Sequence, residues 1–562
     1  MHLPSATTSA PSDGAAVPLS SIEIVHADSR AALEVAYGLG LSRTAQVRTT
    51  SPAFLLDPSL GAKAVDEKFT PLRLREFFEQ CQALAMRCCL AVQQSGLPSD
   101  VAALVARRVS RFQTNVFRAM CLEADDFERP VAAITFEVAD QYRRRVLNNP
   151  AAQILRANPR FRDIVLPEST LVFDGPIVPP AATFKDRLRT APWSSKMFRL
   201  AAAAWARVPF ASPRGTILLL SENSLIKETA YSLAMRGYGL RKIQTPAKGA
   251  APPALDLVAQ VRRTIEPIVL EQLKAWLVAP AVAGTATQLF ADIEGTLLQY
   301  GDSLAGWRRD LATMKTSRPR IVLTNLVSNP PSAALAVAAR EQGIPVACFQ
   351  HGVAREISLV GDRDEVWYET TAADIFFTHS EEAARVTNAS RLSRGRAVAA
   401  GLEQDFIRAG RLRPSGTPMP PVWYISTMLH IGNFQMVSRG MRDVEQTKLE
   451  LRMIDEVLSQ LPHQVLYKPY PARRYTDLDP ILERARRVSN LTVYEEYGDL
   501  RYMLRNARVL VSARPASTTG VVVMSGKPVV YIVVPGRPLS PEARPYMERG
   551  LFLFDGNDPD FH

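Results

Sequence analysis

The sequence predicts an α/β protein of two Rossmann-like domains facing each other across a cleft, and three observations predict it. Short β-branched or aromatic runs alternate with longer Ala/Leu/Arg-rich stretches along the 562 residues, which is the pattern of βα units on a parallel sheet. The alternation breaks at "RLRPSGTPMPP" (411–421), a Pro/Gly/Ser-rich stretch with linker composition. It then restarts and continues to the last residues. At ~100–200 residues per domain a chain of this length holds two to four domains. The boundaries expected are a disordered lead-in at 1–20, an N-terminal α/β domain at 21–410, the linker at 411–421 and a C-terminal Rossmann-like domain at 422–562.

In order, the strands expected in the first domain are "IEIVH" (22–26), "AAITFEV" (132–138), "TLVFDG" (170–175), "TILLLS" (216–221), "RIVLTNL" (320–326), "PVACFQ" (345–350), "EVWYET" (365–370) and "DIFFTHS" (374–380). Helices are expected between them, among them 69–96 and 331–343, the second stopped by Gly343. After the linker the strands are "PVWYIST" (421–427), "QVLYKPYP" (464–471), "LTVYEE" (491–496), "RVLVSA" (508–513), "PVVYIVV" (528–534) and "LFLFD" (551–555). Helices around 440–461, 478–488, 498–506 and 518–525 separate the first five of them.

Composition narrows the class. A hydrophobic content of 47% with 22% charged residues is that of a globular protein. The most apolar stretches, near 199–211 and 275–286, are too short to span a bilayer and are interrupted by proline or arginine. The first residues lack a positive region followed by an apolar one, so a cytoplasmic protein is expected. Five cysteines without a CxxC pair argue for core thiols rather than a zinc site or a disulfide framework. The net charge of +11 is spread over short clusters such as "QYRRRV" (141–146) and "ERARRV" (483–488). These are solvated helix faces or attractors of anionic partners, the inner-membrane surface included. No nucleic-acid-binding motif accompanies the charge, and nucleic acid is not expected as a partner.

Three loops of the second domain carry anion-compatible groups after strand ends. "VLVSARPASTTG" (509–520) places Arg514 and Ser517, Thr518 and Thr519 where an apolar helix opens. Hydroxyls and free N–H groups at a helix start form an anion site, although Ser517 or Thr518 also suits a simple cap. "YKPYPARRY" (467–475) offers Lys468, Tyr470, Arg473 and Arg474, and reads equally as a solvated basic loop. "YISTMLHIGNF" (424–434) offers Ser426, Thr427 and His430. In the first domain "FQHGV" (349–353) sets His351 and Gly352 at the end of a strand, where a titratable nitrogen serves a site or positions the loop.

Taken in order, "FQHG" (349–352), "KPYP" (468–471) and "SARPASTTG…SGKPVVYI" (512–532) resemble the GT-B-fold transferases of bacterial surface polysaccharides. Those families include capsule-type enzymes using CMP-activated sialic acid or Kdo and the related CDP-glycerol glycerophosphotransferases. The resemblance covers residues 320–535. It implies a nucleotide-activated sugar donor bound by the C-terminal domain, a glycan or lipid-linked glycan acceptor, and no metal or other cofactor. It also implies a donor set of Gln350, Gly352, Ser426, Thr427, Lys468, Tyr470, Arg473, Arg514, Ser517, Thr518 and Thr519. Tyr470 stands where those families most often have histidine; it donates a hydrogen bond but carries no charge, which Lys468 and Arg473 would supply.

His351 is the first choice for the base that takes the acceptor proton. Asp174, in "VFDGP", is the second, and Glu356 is a third that also suits orientation of the imidazole. The "DRD" at 362–364 imitates a metal motif but precedes its strand, and is read as a loop. No HExxH, Walker A or G-x-G-x-x-G fingerprint is present. The rival readings are transfer of an alditol phosphate from a CDP-linked donor, a non-catalytic glycan-binding scaffold of the same fold, and a sugar-nucleotide epimerase.

Overall fold

The computed structural model describes residues 17–27, 29–136, 138–139, 146–147, 154–155, 158, 160–166, 197, 200, 204, 214–220, 224–245, 255–314, 320–325, 329–352, 356–358, 370–390, 393–404, 419–427, 429, 440–470, 475, 477–495, 500–513, 517–556 and 558. Within them the chain builds the α/β class with parallel sheets that the sequence predicts. It builds three such sheets rather than two, besides a small antiparallel pair.

The last sheet is the most regular. Its strands are Val422–Ile425, Val465–Lys468, Leu491–Val493, Val509–Ala513, Val529–Val533 and Phe552–Asp555. Counted along the chain, their spatial order is 3-2-1-4-5-6, all parallel. The sequence explains why both faces are covered. Val422, Tyr424, Val465, Tyr467, Val511 and Ile532 pack into one apolar cluster, whereas Trp423, Ile425, Leu466, Leu510, Val529 and Tyr531 pack into another. Alternate side chains therefore feed two cores, and the strands read as continuous apolar runs rather than as alternating ones. Opposed in register, Tyr424 and Tyr467 stack with ring centroids 5.4 Å apart, an arrangement worth about 1 kcal/mol beyond its buried area.

The middle sheet takes Gly215–Leu219, Tyr238–Lys242, Arg320–Thr324, Val346–Phe349, Ile375–Thr378 and Arg396–Ala399 in the order 2-1-3-4-5-6. Gly343 does end the helix Pro330–Glu341, at φ +67°, where a β-carbon would be strained. The first sheet was not foreseen as a separate unit. Ile24–Ala27, Gln46–Thr49, Lys63–Ala64, Val131–Phe136 and Arg162–Leu166 pair in the order 3-2-1-4-5. Between the first and middle sheets lie the helices Pro71–Gln94, Ser99–Arg111, Leu255–Trp276 and Ala279–Thr313. One apolar core runs from Ile24 and Val131 through Phe77, Leu104 and Leu289 to Val322 and Phe376. All five cysteines are buried, as core thiols should be. The runs expected at 170–175 and 365–369 lie outside the described residues.

The first and middle sheets both meet the last one near the carboxyl ends of its strands. From the middle sheet, Ser358 bridges Leu539 in antiparallel fashion, the Ser540 N–H donates to Ile357 O at 2.7 Å, and Arg501 pairs with Glu403 at 2.7 Å. From the first sheet, residues 30 and 50–51 reach Tyr475 and Asp477, which follow the strand Val465–Lys468.

Candidate functional site

In an open α/β sheet the ligand crevice opens where the strand order reverses, outside the carboxyl ends of the strands. For the last sheet that point lies between Val422–Ile425 and Val509–Ala513. The residues after the first of these are Ser426 and Thr427, and after the second the short helix Ser517–Val523. One strand away, Lys468 ends Val465–Lys468 and Tyr470 follows it, partly buried. The structure thus gathers the sequence-predicted Ser426, Thr427, Lys468, Tyr470, Ser517 and Thr518 at neighbouring strand ends of one sheet. Arg473, Arg514, Asp174 and His430 lie outside the described residues.

Their surroundings separate their roles. Ser426 is 6% exposed; its N–H donates to Lys468 O at 3.0 Å, and its hydroxyl lies 2.7 Å from Glu450 Oε2. The same carboxylate oxygen accepts from the Tyr467 hydroxyl at 2.8 Å, and Oε1 accepts from Gln446 Nε2 at 3.0 Å. Gln446 also reaches Thr427 Oγ1 at 3.4 Å. Burial raises the Glu450 pKa, opposed by the hydrogen bonds from Ser426, Tyr467 and Gln446. Ser426 and Thr427 are therefore held from beneath by Glu450 and Gln446. Thr519 is turned fully into the core, while Thr518 beside it is half-buried. Lys468 Nζ donates to Tyr494 O at 3.4 Å and sits 5.5 Å from the centroid of the Tyr494 ring. Desolvation lowers its pKa, partly opposed by Glu495. An ammonium in such a place gains most from an arriving anion.

On the middle sheet, His351 is exposed immediately after Val346–Phe349, with Gly352 half-buried beside it. Gln350 was expected to contact the donor; instead it is 1% exposed and its amide is spent inside the protein. Its Nε2 reaches Gly352 O at 2.7 Å and Glu356 Oε2 at 3.2 Å, while its Oε1 accepts from the His379 N–H at 2.9 Å. Those bonds fix the turn that presents His351. Glu356 is buried and accepts from Ser380 Oγ at 3.3 Å, and its backbone O accepts from the Ser540 hydroxyl at 2.8 Å. Its carboxylate thus braces the His351 turn, and its backbone joins the middle and last sheets.

Among the described residues no group of three His, Cys, Asp or Glu side chains is placed as metal ligands would be. Sequence reasoning missed Glu450, Gln446, Tyr475 and Asp477. A signal for the first two existed: Asp443, Gln446, Thr447 and Glu450 recur at helical spacing, and all four are buried.

No family model matches the chain, and no curated protein matches it by sequence. Among solved structures it is similar to a UDP-GlcNAc 2-epimerase from Methanocaldococcus jannaschii, at 13% identity and a TM-score of 0.35 over 62% of this chain and 90% of that one. It is similar also to MurG of Acinetobacter baumannii, at 12% identity and a TM-score of 0.31 over 62% and 87%. A third is a Neisseria meningitidis UDP-GlcNAc 2-epimerase bound to UDP-GlcNAc, at 14% identity and a TM-score of 0.32 over 57% and 82%. At such identity and overlap, the roles of residues rest on the geometry of this chain itself. Among the described residues, no helix is long and apolar enough to cross a membrane.

Proposed function

We propose that the protein is a GT-B-type glycosyltransferase that moves a sugar from a nucleotide-activated donor to a surface glycan or its lipid-linked precursor. The observation that carries this reading is the reversal point of the last sheet. Ser426, Thr427, Lys468, Tyr470, Ser517 and Thr518 flank it, while an exposed His351 ends a strand of a second parallel sheet tied to the last one. In the reaction, the imidazole of His351 takes the proton of the acceptor hydroxyl as its oxygen attacks the anomeric carbon. The bond from that carbon to the phosphate oxygen breaks, and the nucleotide leaves with the electron pair. Lys468, together with Arg473 and Arg514, neutralises the charge that develops on it. Within this reading the donor is a nucleotide-activated ulosonic acid such as Kdo or a sialic-acid-like sugar, as in the capsule-type enzymes that the chain resembles in order and spacing over residues 320–535. The protein works without a metal, in the cytoplasm, with peripheral contact to the inner membrane.

The test is release of free nucleotide from CMP-Kdo, CMP-sialic acid, CDP-glycerol and a UDP-sugar offered separately. One donor should turn over. His351→Ala should lower its kcat by ~10²–10⁴-fold, and Lys468→Ala should chiefly raise the donor KM. Phosphorus in the product would replace glycosyl transfer with alditol-phosphate transfer. Absence of both turnover and any nucleotide-dependent rise in Tm would leave the scaffold reading, which Tyr470 in place of histidine favours.

A further inference from the structure

Two side chains, one at the end of the basic stretch 467–475 and one just past it, reach across to the first sheet. Asp477 accepts from the Arg30 backbone N–H at 3.0 Å and from the Ser51 hydroxyl at 3.4 Å, one contact to each carboxylate oxygen. The Tyr475 hydroxyl lies 3.0 Å from the Thr50 carbonyl and 2.7 Å from Asp443 Oδ2, so its single proton is shared between two acceptors. Arg30, Thr50 and Ser51 all follow strand ends, of Ile24–Ala27 and Gln46–Thr49. Asp443 opens the helix whose Gln446 and Glu450 hold Ser426 and Thr427. One seam therefore connects the first sheet to two of the strand-end segments that flank the crevice.

We propose that Tyr475 and Asp477 are positioning residues through which the N-terminal sheet sets the segment carrying Lys468 and Tyr470, so that donor affinity depends on a unit more than four hundred residues away in the chain. This rests on the nucleotide-donor reading above. The physical reason is pre-organisation. Lys468 is fixed at one end by the strand ladder, and Tyr475 and Asp477 fix the other end. A segment tied at both ends during folding gives up less conformational entropy when a ligand binds it. Pro469 and Pro471 narrow the remaining freedom further.

The experiment uses the full chain and compares wild type with Tyr475→Phe, Asp477→Ala and Asp477→Asn. Hydrogen exchange is followed in peptides covering 469–477, and CMP, CDP and UDP are titrated calorimetrically well below the Tm of every variant. Asp477→Ala should speed exchange in those peptides and weaken the nucleotide that wild type binds by about tenfold, as expected for loss of one or two hydrogen bonds that hold a binding segment. Asp477→Asn, whose amide oxygen still accepts from the Arg30 N–H, should stay within about threefold of wild type. Unchanged exchange and affinity in both Asp477→Ala and Tyr475→Phe would overturn the proposal. So would an equal loss in the Asn and Ala variants accompanied by faster exchange throughout the protein. If wild type binds none of the three nucleotides, the donor reading fails on that result alone and exchange decides the anchor. Faster exchange confined to 469–477 sustains it, and unchanged exchange ends it.

Discussion

Asp66 is 2% exposed, and its Oδ1 has no hydrogen-bond partner among the described residues. Burial pushes its carboxyl pKa up to about 7, with Arg442 opposing the rise and Asp443 adding to it. An unfolded chain ionises the same group near pH ~4. Between those values the folded protein keeps a proton that the unfolded chain has lost. Stability should therefore fall as pH rises through that window and level off above it. Asp66→Asn should remove this slope: equal to wild type below about pH 4 in urea unfolding, and more stable at pH 8 by roughly 2–4 kcal/mol. Parallel pH profiles for the two proteins would contradict this assignment. At this scale the sequence was informative about His351, a histidine at a strand end before glycine, and uninformative about Gln350. A glutamine's amide serves a ligand or the backbone equally well. Only the fold shows that Gly352, Glu356 and His379 surround this one.

The helix Asp443–Arg452 buries a polar stripe where an apolar one is the ordinary solution. Its Glu450 accepts hydrogen bonds from Ser426, Tyr467 and Gln446. Glu450→Ala would take the short-range acceptor from three buried donors, leaving Tyr467 without one among the described residues and Ser426 and Gln446 with long contacts to Thr427. It should cost about 3 kcal/mol, whereas Glu450→Gln keeps the shape and should cost about 1 kcal/mol. Chemical denaturation measures both, and equal costs would mean that the buried hydrogen bonds are not what matters. A second element-level constraint is the contact of Gly440 with Gly536, at φ +112° and +76°. A β-carbon on either residue would overlap the other's carbonyl oxygen, and one on Gly536 would also crowd Pro71 from the first sheet's side of the molecule. Gly536→Ala is therefore expected to destabilise by about 2 kcal/mol or more, from backbone strain together with overlap. The glycines are visible in the sequence; their pairing across nearly one hundred residues is not.

Across the whole molecule, the last sheet is flanked at its strand ends by two parallel sheets instead of one. The ion pair of Arg501 with Glu403, with both side chains mostly buried, is one of the ties to the middle sheet. Arg501→Met would leave Glu403 without that partner and should cost about 1–3 kcal/mol in urea unfolding. An unchanged midpoint would mean that solvent reaches Glu403 and compensates. The linker expected at 411–421 lies outside the described residues up to 418, but the change of sheet across it is clear: Arg396–Ala399 belongs to the middle sheet and Val422–Ile425 to the last.

By itself the sequence determined the α/β class, the parallel strands after residue 420 and the strand-end positions of His351, Ser426, Lys468 and Ser517. The physical reason is that apolar runs buried on both faces, broken by glycine, proline and hydroxyl residues, are local properties of a chain. Tertiary structure alone decided that five strands between residues 24 and 166 form a sheet of their own, that Glu450 and Gln350 act from beneath the candidate site, and that Tyr475 and Asp477 reach the first sheet. Each of those depends on hydrogen bonds between residues far apart in sequence, and such partners are chosen by packing rather than by local pattern.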